Sequence, residues 1–193
     1  MTAYRYLAFC KPYGVLSAFT DEEGHNTLKE YIDIPGVYAA GRLDLDSEGL
    51  LLLTDDGGLI HRLTDPLHHL PKTYLAQVEG VPTPQAIHKL TQGIDLGDFK
   101  TRRCDVLQVD APQIFERARA ITPHGPTTWL RISLTEGKKH QVKRMTAAVG
   151  LPTLRLIRIA IGPVALGTLN PGEWRSLTKD EMTALGVRGN PVV

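Results

Sequence analysis

Apolar and polar positions fall into short runs along the chain, and their period switches repeatedly between two and about 3.6. Tyr4 to Phe9 reads as a strand, Val37 to Ala40 and Gly49 to Thr54 as buried strands, and Lys72 to Glu79 as a strand of alternating character. Cys104 to Val109 and Trp129 to Thr135 have the two-residue period of strands, and Leu154 to Ile161 is a further strand. Thr27-Leu28-Lys29-Glu30 carries the spacing of a capping box and predicts a short helix. Thr83 ahead of Pro84 sets a cap residue before a proline at the first helical position, opening a helix to about Gln92. Lys138 to Val149 reads as an amphipathic helix with Val142, Met145 and Val149 at i, i+3 and i+7, stopped by Gly150. Thr178 to Glu181 repeats the capping-box spacing before a last helix. Ala111 to Pro126 is irregular and contains prolines, a long loop joining two halves. Strands and helices mix without regular βα alternation, which predicts an α+β fold.

Composition narrows the class. With 193 residues, 42% hydrophobic and 22% charged, the chain lies near ordinary globular usage, against disorder, collagen-like repeats and coiled coil. A chain of this size buries roughly 70% of its unfolded surface, enough for a real core. The longest apolar run, Leu50-Leu51-Leu52-Leu53, is far short of the ~20 residues of a membrane span. Cys10 and Cys104 offer neither a disulfide framework nor a zinc knuckle. The expectation is a cytoplasmic protein with no structural metal and no membrane association.

The net charge of +1 hides a strong asymmetry. Gly41 to Pro66 holds Asp44, Asp46, Glu48, Asp55, Asp56 and Asp65 against Arg42 and Arg62. Lys138 to Arg158 holds Lys138, Lys139, Lys143, Arg144, Arg155 and Arg158 and no acid. Such a block suits nucleic acid, or a solvated helix face.

Two stretches could carry chemistry. Ala40 to Gly49 lies between two buried strands, where a rigid scaffold positions reactive groups. Extended, it puts Asp44 and Asp46 on one face with Arg42 close enough to pair with one of them. A carboxylate beside a cation stays ionised and can act as nucleophile or base; the same residues also suit a charged turn capped by Asp46 or Ser47. Tyr74 opens a strand and fits either core packing or stacking on a base. Lys139 and Lys143, four apart, would share a helix face while Val142 and Met145 point inward. His61, His68, His69 and His140 lack the spacing of metal ligands, and no metal is expected.

Five motifs, in order, resemble the RsuA-type branch of the pseudouridine synthases. They are Phe9-Cys10-Lys11-Pro12-Tyr13-Gly14-Val15, then Gly41-Arg42-Leu43-Asp44 through Gly57, then Lys72-Thr73-Tyr74, then Glu136 to Met145, and finally Pro171 to Leu177. One motif alone would be weak; five spanning Phe9 to Leu177 are specific. The resemblance implies two α+β halves, about 1–66 and 67–193, around a central, mostly antiparallel sheet with a cleft between them. It implies one catalytic domain, with the chain opening on that domain where most of the family carry an additional N-terminal RNA-binding domain.

The implied activity is isomerisation of uridine to pseudouridine in ribosomal RNA, with 23S RNA of the large subunit favoured over the small-subunit RNA. Asp44 is the implied catalytic aspartate, Tyr74 the tyrosine stacked on the target uracil, and Lys143 the cation paired with the aspartate. Lys143 stands where many of the family have arginine; lysine keeps the charge and loses the two-pronged fork, which gives Arg42 a larger share of positioning. Arg42, Lys72, Lys138, Lys139, His140, Gln141, Arg144, Arg155 and Arg158 are expected to bind RNA. Arg117, Arg119 and His124 of the long loop are expected at the rim. The reaction needs no cofactor, and a monomer is expected. A glycoside hydrolase pairing Asp44 with Asp46 or Glu48 is the rival that the basic helix speaks against. A non-catalytic RNA-binding or ribosome-assembly protein is the rival that intact Asp44, Tyr74 and Lys143 speak against.

Overall fold

Unbroken apolar runs mark strands covered on both faces, and the computed structural model, which describes residues 4–65 and 70–187, sets two of them side by side. Strand β1 (Tyr6–Lys11) is buried at every position and pairs antiparallel with a later strand from Tyr6↔Thr54 to Lys11↔Gly49. Between them in the chain comes the short β2 (Tyr38–Ala39), and the partner is β3 (Glu48–Thr54), also buried throughout. The chain divides into two compact units, one of Met1–His68 with Arg158–Val193 and one of His69–Ile157.

In the first unit β2 pairs with the far end of β3, at Tyr38↔Thr54 and Ala39↔Leu53. One face of this sheet is closed by Val15, Leu28, Ile32 and Val37 packed on Leu7, Phe9, Leu51 and Leu53. The expected capping box at Thr27 is present, with Glu30 reciprocating, and it starts a single 3-10 turn, Leu28–Glu30. Helix α1 (Gly57–Thr64) was not expected from the sequence, because Gly57-Gly58 reads as a chain break. Asp56 makes it possible: its carboxylate accepts from the amides of Gly58 and Leu59, and Leu59 and Leu63 are buried.

The second unit begins with β4 (Lys72–Glu79) and α2 (Pro84–Gln92), both within the predicted limits, α2 capped by Thr83. Strand β5 (Asp105–Val109) pairs antiparallel with β6 (Thr127–Leu134), which pairs on its other side with all of β4. Residues 111–126 are irregular, as expected. Helix α3 (Gln141–Ala148) starts three residues later than the pattern suggests, with Val142 and Met145 buried. Its leading residue His140 has φ 53, a left-handed conformation that stops the helix from extending backwards. Lys139 therefore precedes the helix and does not share a helical face with Lys143.

Strand β7 (Thr153–Ile161) crosses the division at Ile157/Arg158. Beyond it, β8 (Val164–Ala165) folds back on β7, and β9 (Trp174–Ser176) pairs with β1 at Leu7↔Ser176 and Phe9↔Trp174. Helix α4 (Lys179–Ala184) carries the second expected capping box, Thr178 with Glu181, and Arg175 grips Glu181 with both guanidinium arms at 2.7 Å. Antiparallel pairs with helices set between them make an α+β fold, as expected.

Candidate active site

The backbone of the segment between β2 and β3 is held largely by donors from elsewhere in the first unit. The Leu43 amide donates to Ser17 Oγ, which donates in turn to the Leu43 carbonyl, both at 2.9 Å. The Asp44 carbonyl accepts from the Ser47 amide at 3.0 Å, and the Leu45 carbonyl from the Gly14 amide at 2.8 Å. Arg158 reaches both ends: its Nη1 donates to the Arg42 carbonyl at 3.3 Å and its Nε to the Leu50 carbonyl at 2.7 Å. Gly41 and Gly49, with φ of 103 and 98, make the two corners in backbone conformations that side chains disfavour. The result is a fixed loop that presents a half-buried Asp44 and an exposed Asp46 and Arg42, with Ser47 and Glu48 turned inward.

Beneath the loop lies a buried set of charges. Lys11 is fully buried at the end of an apolar strand, and its ammonium donates to the carbonyls of Val15 at 2.7 Å, Pro12 at 2.9 Å and Leu45 at 3.5 Å. Burial pulls its pKa down to about 8; Glu48, Asp46 and Asp44 pull it back up, and Arg158 adds to the depression. Lys11 thus braces the Leu45 carbonyl and attracts the carboxylates around it. Its signal in the sequence is a lysine closing an otherwise apolar strand, and Ser17 gave no such signal.

The remaining expected site residues lie in the second unit. Tyr74, 8% exposed, faces Ile132 across the β4–β6 pair, and Lys72 begins the same strand opposite Leu134. Lys143 is half-buried on α3.

The expected RNA-binding residues divide sharply. Arg42, Lys138, Lys139 and His140 are exposed. Gln141 is 4% exposed; its amide nitrogen donates to Glu136 at 2.5 Å and its oxygen accepts from the Lys138 amide at 2.9 Å, so it closes the turn before α3. Arg155 and Arg158 are likewise interior. The Arg155 Nη2 donates to the Phe115 carbonyl at 3.0 Å, with its guanidinium over the Phe115 ring at 5.3 Å, and Arg158 is the loop staple already described. Arg144 is bound to Asp98, to the Leu96 carbonyl at 3.1 Å, and against the Phe99 ring at 5.2 Å. For each of these three arginines a backbone carbonyl accepts from the cation that the linear sequence places near solvent.

Arg117 donates to the Leu154 carbonyl at 3.1 Å, and the His124 amide to Glu79 at 2.7 Å, so the long loop is fastened and leaves Arg119 and His124 exposed. His61 is exposed, and His68 and His69 lie outside the described residues. Among the described residues no group of three His, Cys, Asp or Glu could hold a metal, and no helix is long and apolar enough to cross a membrane.

The sequence profile of the RNA pseudouridylate synthase family matches residues 5–148. The ribosomal large subunit pseudouridine synthase E of Vibrio parahaemolyticus is 49% identical over 175 residues, covering 90% of this chain and 74% of the relative. The protein of the same name from Xanthomonas campestris is 53% identical over 170 residues, covering 86% and 91%. A crystal structure of a pseudouridylate synthase superposes with a TM-score of 0.79 at 32% identity, covering 96% of this chain and 75% of the other.

Proposed function

The chain belongs to the RNA pseudouridylate synthase family, and we propose that it converts one uridine of large-subunit (23S) ribosomal RNA to pseudouridine, using Asp44 as the essential carboxylate. The observation that carries this reading is the loop at Arg42–Leu50, whose backbone is clamped so that Asp44 has a fixed station. Two relatives near 50% identity, both large-subunit synthases by name, support the choice of RNA. The reaction breaks the bond from ribose C1′ to N1 of uracil, turns the base, and joins C1′ to C5; the C5 hydrogen leaves as a proton and N1 takes up a proton.

The target uridine must leave its stack, at a cost of a few kcal/mol, before its C1′ can meet a side chain. In this reading Asp44 acts on the flipped nucleotide, the Tyr74 ring packs against the uracil, and Lys143 balances the aspartate charge. Because a lysine offers a point charge where an arginine would offer a fork, Lys143 neutralises without fixing the carboxylate's orientation. Orientation then falls to the clamped loop itself. A cytoplasmic location and a monomeric protein belong to this reading, and light scattering on the purified protein checks the second point.

Release of tritium from 5-tritiated uridine tests the reading, with wild type and Asp44→Asn on protein-free large-subunit ribosomal RNA. Release by wild type alone is expected. Release from small-subunit RNA alone would move the substrate, and binding without release from either would favour a non-catalytic assembly role.

A further inference from the structure

The basic block at Lys138–Arg158 loses three of its cations, Arg144, Arg155 and Arg158, to protein partners. The fold sets other cations beside those that remain. Past α2 the chain makes a tight hairpin over residues 94–101: the Thr101 amide donates to the Ile94 carbonyl at 2.8 Å, the Leu96 amide to the Phe99 carbonyl at 2.9 Å, and the backbones of Asp95 and Lys100 form an antiparallel bridge. Gly93 lets the returning strand close on the helix end, since a Cβ there would stand 2.3 Å from the Thr101 carbonyl oxygen.

This hairpin is fastened to the turn ahead of α3. Glu136 accepts the Arg102 amide at 2.8 Å and the Gln141 side chain at 2.5 Å, so one carboxylate ties both segments. Arg144 holds Asp98 and the Leu96 carbonyl at the hairpin tip. The Phe99 ring lies under Arg144 at 5.2 Å and Lys138 at 5.9 Å. Asp98 is thereby neutralised, and Asp95 is turned onto the Gly97 amide at 2.9 Å. Lys100, Arg102, Lys138, Lys139 and His140 all remain exposed.

We propose that the hairpin with Arg102 and the turn Gly137–His140 form one composite surface for the ribose-phosphate backbone of the RNA substrate. This rests on the RNA substrate of the preceding section and extends it to residues outside the basic block. The chemistry is that of a backbone reader. Its exposed side chains are cations that suit phosphates, and the Phe99 ring already lies against Arg144 and Lys138. Contacts of this kind release counterions, so they are visible in the salt dependence of binding.

The test is fluorescence anisotropy with a labelled, protein-free fragment of large-subunit ribosomal RNA across a series of potassium chloride concentrations. The double variant Lys100→Ala with Arg102→Ala is expected to lower the slope of log K against log salt by roughly 1.4, at ~0.7 per phosphate contact, which is about tenfold weaker binding near 0.15 M. Lys138→Ala with Lys139→Ala is expected to do the same. Lys29→Ala with Lys179→Ala, exposed positions in the first unit, is expected to leave the slope in place. An unchanged slope for the Lys100 and Arg102 pair would overturn the proposal, as would an equal fall in the control pair. Wild-type binding with the full slope but no tritium release from either ribosomal RNA would remove the isomerase reading and leave this surface standing.

Discussion

The loop at Arg42–Leu50 and the block at Lys138–Arg158 are both dense in charge, and the fold treats them in opposite ways. In the acidic loop the charged tips of Asp44, Asp46 and Arg42 stay toward the surface while the backbone beneath is pinned by Ser17, Lys11 and Arg158. In the basic block Arg155 and Arg158 turn their side chains inward and spend their donors on backbone carbonyls, while Lys138 and Lys139 stay exposed. Buried carbonyls must find donors, and an arginine with five of them is the side chain best able to supply a loop. A cation in a sequence therefore reports on RNA only after the loops have been satisfied.

Arg158 is where the two regions meet the same residue, and removing it breaks the comparison most severely. Arg158→Met takes this donor from the Arg42 and Leu50 carbonyls, so a loss of about 2–4 kcal/mol in urea unfolding is expected, together with weaker turnover. Ser17→Ala strips the Leu43 amide and carbonyl at once and should cost about 1–3 kcal/mol. Unchanged stability in both variants would mean that the loop is not held as described.

Lys11 gives a pH signature. Its folded pKa, near 8, lies below the ordinary 10.5, so between those values the unfolded chain holds more protons than the folded one. The penalty for burying the charge is complete below pH 8 and is relieved as pH rises, so Lys11 makes the protein more stable toward pH 10. Cys104, pushed up to about 11, acts in the opposite sense, so the effect is read as a difference from Lys11→Met. That difference in unfolding free energy should grow in favour of wild type between pH 8 and 10. The smallest effect belongs to Lys139→Ala: no change in stability, and a salt slope for RNA lower by ~0.7.

How much of this was legible in the sequence depends on where the information sits. Local signals read well: Thr83-Pro84 placed α2, period two placed β4, and both capping boxes formed. The α3 start was misplaced because Gln141 folds back on the preceding turn and His140 takes a left-handed conformation, neither of which shows in an apolar period. Helix α1 hid behind two glycines, and the three-residue β9 pairs with a strand some 165 positions away, beyond any local pattern. For the site, motifs indicated Asp44, Tyr74 and Lys143. The interior fate of Gln141, Arg155 and Arg158 depended on which carbonyls lacked donors, a property of the folded loops alone.

The most direct test compares Asp44→Asn with Asp46→Asn, two carboxylates two residues apart on the same clamped loop, measuring both turnover and RNA affinity. The account predicts that Asp44→Asn loses about 10³-fold or more in turnover with affinity nearly unchanged, while Asp46→Asn stays within about threefold of wild type. Comparable losses in both would point to a carboxylate pair, and retained turnover in Asp44→Asn would contradict the account.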